Sequence, residues 1–482
     1  MTESSTLRHN PFAFDAETMR RLGYRVVDRV VERMLHAEDV RPVDPDKGLD
    51  DVAPLRRPMP DAPQNPEQVV EQAIDDIFGN TMNLMHPRFY AYMPAPGNLI
   101  SALADFMASG FNVFAGITPH NHAAFEVERQ TVDWLGGRFG WDFPSSGLFV
   151  SGGSAANLTA LALARHHQLN DDMTGAVVYC SDQTHSSIER SMYVLGFQPD
   201  QLRLIKCDAD LRLDPEALEQ AVRTDLEAGL KPLCVVGNAG TTNTGAVDPL
   251  SELADVCERH DLWFHVDAAY GGGAVLTPQT RTLFAGIDRA HTIAVDPHKW
   301  LFQPFECAVI LGREQSWFTD TFRVLPAYLR DTDVTGEVCN YRDMGAQLTR
   351  SFKALKLWLS LQVYGVDTFI AAVEHGLAIA RYAEQRAAAL PGFEVTTPAT
   401  LGVLTCRWIG DADARPDDSE LNRVNHRLAQ ALTRTGFTYV TTTDLGSRTV
   451  LRFCPIHPAA TERDIDETFD RLQKLAVNPA VA

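Results

Sequence analysis

The chain has no C-x-x-C pair among its eight cysteines, no apolar run long enough to span a bilayer, no apolar segment near its start and no excess of positive charge. Each absence excludes something. Cys180, Cys207, Cys234, Cys257, Cys307, Cys339, Cys406 and Cys454 are scattered, several of them inside apolar runs. There a thiol behaves as a small hydrophobe, which argues against a disulfide framework or a structural zinc site and for a reducing compartment. The polar opening Met1–Asn10 lacks the apolar core of a secretion signal. With 43 Lys and Arg against 63 Asp and Glu, the net charge is -20, which disfavours nucleic acid and anionic membrane as partners. Neither a Walker loop nor G-x-G-x-x-G occurs, so no nucleoside triphosphate or dinucleotide site is indicated. The absences together predict a cytoplasmic protein without nucleic-acid or membrane partners.

What is present is an ordinary globular composition, 45% hydrophobic and 22% charged over 482 residues, enough for two or three domains. From Asp15, a good N-cap, Val26, Val27, Val30, Val31, Met34 and Leu35 mark one face of a helix. That face packs on its own domain or docks on a partner subunit. A proline-rich, acidic stretch over 41–65 reads as an extended linker, and a second helix follows near Pro66–Phe78. Between about 145 and 312, short apolar strands alternate with helical segments. The strand candidates are Gly147–Ser151, Ala176–Cys180, Leu202–Lys206, Leu233–Gly237, Leu262–Val266, Thr292–Val295 and Cys307–Leu311. This pattern predicts an α/β domain with a mostly parallel sheet, whose ligands sit at the carboxyl ends of its strands. Helices over Arg350–Tyr364 and Val366–Ala389 lead to a smaller α+β region with strands at Phe393–Thr397, Gly402–Trp408, Thr438–Thr442 and Thr449–Cys454. The expected division is 1–95 helical, 96–375 large α/β and 376–482 small α+β.

The polar motifs fall at the expected strand ends. Ser151-Gly152-Gly153-Ser154-Ala155-Ala156-Asn157 joins a strand to a helix, where glycines and free N–H groups can receive an anion. His185, in Ser181-Asp-Gln-Thr-His-Ser-Ser-Ile-Glu-Arg190, could stack on a flat ring or exchange protons. Thr242 supplies a hydroxyl past another strand, and Asp267, in His265-Val-Asp-Ala-Ala-Tyr270, supplies a carboxylate followed by small Ala269. A strand-end aspartate can equally be a cap or a metal ligand, but no second ligand lies at suitable spacing and no metal is expected. Lys299, in Asp296-Pro-His-Lys-Trp300, sits among Pro297, Trp300, Leu301 and Phe302. A lone lysine after a strand is usually a surface residue, whereas a desolvated one becomes an amine nucleophile. Taken jointly, an anion cradle, a carboxylate, a flat-faced histidine, a hydroxyl and a masked lysine match what pyridoxal phosphate requires.

The ordered set Gly-Gly-Ser, Ser-Asp-Gln-x-His-Ser-Ser, Gly-Thr-Thr, His-Val-Asp-Ala-Ala-Tyr and Pro-His-Lys-Trp resembles the group II pyridoxal-phosphate-dependent amino-acid decarboxylases, from about residue 10 to residue 475. That resemblance implies the aspartate-aminotransferase-like (fold type I) architecture. It also implies a homodimer with active sites at the interface, the N-terminal helices wrapping the partner. The implied reaction takes an L-amino acid, aromatic by overall likeness, to the amine and carbon dioxide through a Schiff base with pyridoxal 5'-phosphate. Oxidative deamination to an aldehyde is the alternative. By position, Lys299 resembles the Schiff-base lysine, Asp267 the partner of the ring nitrogen, His185 and Ala269 the residues on the ring's two faces, and Thr242 the nearby hydroxyl. Ser154, Ala155 and His298 resemble phosphate-side contacts, and Tyr328 the mobile-loop tyrosine that returns a proton. Tyr92, Pro94, Phe114 and His120 fall in the pocket-lining stretches. The chain departs from the family pattern at Asp296, where asparagine is common, and at Leu84 and Ala95, where tryptophan and threonine are expected. The carboxylate of Asp296 would repel a phosphate, so it is not expected to contact one.

Overall fold

The structure, a computed structural model, describes residues 10–93, 95–324, 339–410 and 416–478. Two helices open it: α1 (Ala16–Leu35), whose N-cap Asp15 accepts from Thr18 N, and α2 (Pro66–Asp76), capped by Asn65. Arg21 pairs with Glu67, Arg25 with Glu71 and Arg29 with Asp75. The constant spacing in both helices makes them run parallel. These pairs are exposed, and such pairs contribute little to stability. No residue of α1 is buried, and Val26, Val27, Val30 and Leu35 lie open to solvent.

Helices α3 (Leu99–Gly110) and α4 (His122–Arg138) precede the main sheet. Its strands, with the helices between them, are β1 (Ser146–Val150), α5 (Gly153–Leu169), β2 (Ala176–Ser181), α6 (Ser187–Leu195), β3 (Leu202–Ile205), α7 (Pro215–Glu227), β4 (Lys231–Asn238), α8 (Leu250–His260), β5 (Trp263–Asp267), β6 (Thr292–Val295) and β7 (Ala308–Gly312). The spatial order is β1-β7-β6-β5-β4-β2-β3. Strand β7 is antiparallel to both of its neighbours, and the remaining pairings are parallel. Since β1 and β6 both oppose β7, they run the same way, and the carboxyl ends of β1, β2, β4, β5 and β6 share one edge. Both faces are covered: Phe149, Tyr179, Val235, Val266 and Ile293 enter one core, and Leu148, Val178, Val236, Ala294 and Ile310 the other. Burial on both sides is why these strands read as unbroken apolar runs.

After α9 (Gln315–Phe322), helices α10 (Ala354–Tyr364) and α11 (Val366–Ala388) meet at a 95° bend. Gly365 makes that bend with a φ of 72°, which suits a residue without Cβ. Arg350, expected to open α10, lies before it and pairs with the buried Glu128 of α4 at 2.5 Å. The second sheet is antiparallel, in the order β10-β11-β9-β8, from β8 (Phe393–Thr397), β9 (Leu404–Trp408), β10 (Thr441–Leu445) and β11 (Arg448–Phe453). Helices α12 (Asp418–Arg434) and α13 (Glu462–Ala476) pack with α11 over it. Strand β10 starts three residues later than Thr438, because the two-residue turn Gly446–Ser447 sets the pairing of Leu445 with Arg448. Among the described residues no single helix is long and apolar enough to cross a membrane, although the bent pair α10–α11 would reach by length and composition alone. All eight cysteines are free, and seven are buried.

Candidate active site

The shared strand edge holds a cavity of about 270 Å³. Five strand ends build it: Gly152–Ser154 after β1, His185 after β2, Thr241 and Thr242 after β4, Asp267 and Ala269 at the end of β5, and Asp296, His298 and Lys299 after β6. The first residues of α5 aim unpaired N–H groups and a positive dipole end into this space. Gly153 lets them come close: a Cβ there would stand 3.0 Å from Asp296 Oδ2 and 3.1 Å from Ala269 Cβ.

Lys299 is neither on the surface nor sealed in, with 22% of its side chain exposed. Its Nζ lies 3.0 Å from Asp296 Oδ2, and Asp296 is only 4% exposed. The other oxygen, Asp296 Oδ1, is buried with no hydrogen-bond partner. His298 approaches the same carboxylate, Nε2 to Oδ2 at 3.5 Å, and packs its ring on Phe305. Burial pushes the His298 pKa down, and Asp296 partly opposes this. Trp300, next in sequence, turns away and stacks on Tyr270 with ring centroids 5.1 Å apart and planes at 4°. The Tyr270 hydroxyl donates to the Leu401 carbonyl, which ties the lysine loop to the second sheet.

Asp267 ends β5 at 8% exposure. Its Oδ1 accepts from Ala269 N at 3.0 Å and its Oδ2 from Asn157 Nδ2 at 2.8 Å. Each carboxylate oxygen therefore carries a donor and keeps a lone pair for a further one. His185 holds its Nδ1 2.9 Å from Ser187 Oγ, and burial lowers its pKa, with Asp267 opposing. The Thr242 carbonyl accepts from Arg452 Nε at 3.0 Å, while Arg452 Nη1 donates to the Tyr92 carbonyl at 2.7 Å. A buried guanidinium on β11 thus ties the cavity rim to the segment around Tyr92.

The sequence-predicted residues Ser154, His185, Thr242, Asp267, Ala269, His298 and Lys299 come together on this one cavity. Ala155 lies one residue further into α5, outside the lining. Asp296, not expected to contact a phosphate, lies against Gly153 at the start of α5. Tyr92 is half exposed and outside the lining, with a φ of 58° and its hydroxyl 3.1 Å from that of Tyr439. Phe114 lines a second cavity of about 620 Å³ with Phe305 and Arg350, and Phe305 packs on His298, which lines the first. Pro94 and Tyr328 lie outside the described residues, as does the side chain of His120, whose backbone closes the turn Thr118–His120. Sequence reasoning missed Asn157 and Arg452 as parts of the site. Asn157 was visible as the last residue of the glycine-rich motif, whereas nothing local marks Arg452.

The family model described as "Pyridoxal-dependent decarboxylase conserved domain" matches residues 51–409. The aromatic-L-amino-acid decarboxylase of Bacillus atrophaeus is 40% identical over 470 residues, covering 97% of this chain and 97% of that protein. A phenylacetaldehyde synthase of Arabidopsis thaliana is 30% identical over 482 residues, covering 96% of each. Among solved structures, Oryza sativa TDC with PLP and tryptamine is similar at a TM-score of 0.90 and 28% identity, covering 97% of this chain and 99% of that one.

Proposed function

Because this chain belongs to the pyridoxal-dependent decarboxylase family, we propose that it takes an L-amino acid with an aromatic side chain and releases the amine and carbon dioxide. The observation that carries this reading is the meeting of Lys299, Asp267 and His185 on one cavity at the N-terminus of α5. The name of the Bacillus relative supports the aromatic side chain.

The residues present fit pyridoxal phosphate. An amine, a carboxylate with spare lone pairs and a helix N-terminus face one space, each suited to one functional group of the cofactor. The bound cofactor supplies an electron sink for the pair left when the carboxyl carbon departs. Lys299 would hold it covalently, which requires Nζ to give up a proton, and Asp296 Oδ2, 3.0 Å away, is placed to take it. Asp267 would accept from the ring N–H and so keep that nitrogen protonated. His185 and Ala269 would meet the two ring faces, with Thr242 at the edge. Ser154, Ala155 and His298 would serve the phosphate. Tyr328 would return a proton to the carbon that lost its carboxyl group.

The same reading extends to assembly. The open apolar face of α1, with Phe106 and Phe111 exposed on and after α3, fits burial against a second copy, with the active sites at that interface. The division into 1–95, 96–375 and 376–482 and a cytoplasmic location, consistent with eight free cysteines, belong to this proposal. The test is carbon dioxide release by the holoenzyme across the twenty amino acids, with the amine identified. Aromatic substrates are expected to lead, and release from an acidic or basic substrate alone would overturn the substrate class. The Arabidopsis relative's name motivates a second reading, in which dioxygen and water are consumed and aldehyde, ammonia and hydrogen peroxide appear in place of the amine. A peroxide assay on the same samples separates the two.

A further inference from the structure

Behind the cavity runs a chain of hydrogen bonds whose direction can be worked out atom by atom. One end of the Asn157 amide faces Asp267 Oδ2 at 2.8 Å and Ser187 Oγ at 2.9 Å, and the other faces His265 Nε2 at 2.9 Å. A carboxylate only accepts, so the end toward Asp267 is Nδ2 and the end toward His265 is Oδ1. Oδ1 cannot donate, so His265 must carry a proton on Nε2. His265 is fully buried, and burial pushes its pKa down to about 4, which keeps the ring neutral at pH 7. Its Nδ1 is then an acceptor, served by the Thr292 hydroxyl at 3.0 Å, and the Thr292 carbonyl 3.2 Å away receives no proton from it. Trp263 Nε1 donates to that hydroxyl at 3.1 Å and sets its direction.

The second branch ends on His185. Ser187 Oγ receives the Asn157 N–H and has one proton to give, with His185 Nδ1 at 2.9 Å. The backbone N–H of Ser187, which can only donate, points at the same nitrogen at 3.2 Å. Two donors on one ring nitrogen need a lone pair there, so the His185 proton sits on Nε2.

We propose that Asn157 and His265 are positioning residues, which anchor the Asp267 carboxylate and fix His185 as its neutral Nε2–H tautomer. His185 then meets whatever fills the cavity as a hydrogen-bond donor and not as a base. Neither residue acts on substrate, and their effect on the cofactor rests on the reading given above.

The direct test is nitrogen-15 spectroscopy of histidine-labelled protein, with the His185 signals identified by their loss in His185→Gln. The expected result is a bare Nδ1 and a protonated Nε2, with and without cofactor. A protonated Nδ1 overturns the proposal, and the tautomer is read on the wild-type chain, the variant serving only to identify the signals. The second test is the dissociation constant for pyridoxal phosphate. Asn157→Ala and His265→Leu each remove a bond in a network that ends on a charged group, so roughly tenfold weaker binding is expected. His265→Gln, whose amide can still donate to Asn157 Oδ1, recovers most of it. Equal loss in the Gln and Leu variants, or none in Leu, overturns the proposal. A wild-type protein that shows the Nε2–H tautomer yet binds no pyridoxal phosphate sinks the functional reading and leaves this one standing.

Discussion

Replacing Asp296 by asparagine is expected to tighten the hold on pyridoxal phosphate. The carboxylate is buried, has one oxygen without a partner, and lies against the first residue of α5, where an anion would seat. Two like charges about 4 Å apart repel by roughly 4 kcal/mol at an effective dielectric constant of ~20. Asparagine keeps the shape, removes the charge and also removes the ion pair that holds Lys299 Nζ. Like-charge neighbours commonly shift a titration by one unit or more, about 1.4 kcal/mol, so a gain near tenfold is the conservative expectation. The assay is titration of cofactor-free protein with pyridoxal phosphate, followed by absorbance, beside the same titration with pyridoxal. Lacking the phosphate, pyridoxal reports any change that acts through Lys299 alone. The ratio of the two dissociation constants isolates the phosphate contribution. A ratio unchanged between Asp296→Asn and wild type refutes the idea that the carboxylate competes for the anion seat.

Three further outcomes follow from the geometry. Lys299→Ala should lose the covalent chromophore while keeping its melting temperature within a few degrees, and a chromophore that survives denaturation in that variant would move the anchor elsewhere. His86, His265, His291 and His457 are held by burial at pKa values of about 4, below the ordinary 6.5. Depressed histidines favour the neutral form in the fold, so their contribution is full above about pH 6.5 and is lost as pH falls toward 4, by up to about 3 kcal/mol each. Thermal unfolding across that window should show stability falling steeply, with a smaller fall in His265→Gln. Val26→Asp combined with Val30→Asp puts two charges on the open face of α1, and on the proposed assembly sedimentation should show a dimer for wild type and a monomer for this variant.

The main sheet was legible because its strands are buried on both faces, so each appears as a short apolar run bounded by polar motifs. The site was legible for the same reason, since parallel strands deliver their carboxyl ends to one edge. What stayed hidden has physical causes. Helix α4 carries Gly136 and Gly137 where propensity disfavours helix, and Gly136 is required because Ser145 Oγ would fall 1.7 Å from a Cβ there. Tyr439, within a strand predicted from 438, pairs with Phe89 instead, a contact across the whole chain. The bond from His265 to Asn157 spans 108 residues, and no local spacing announces it. Phe114, placed among the pocket residues by its neighbours in sequence, lines a second cavity together with Phe305.

Arg452 has a mechanical consequence. Its guanidinium grips the carbonyls of Thr242, Asn243 and Tyr92, and Leu401, Val403, Cys454 and Ile456 sink into the same apolar core as the main sheet. The seam between the two sheets is therefore welded along the rim that holds Thr242. The sheets should melt in one transition, and a molecule entering the cavity cannot do so by prising them apart there.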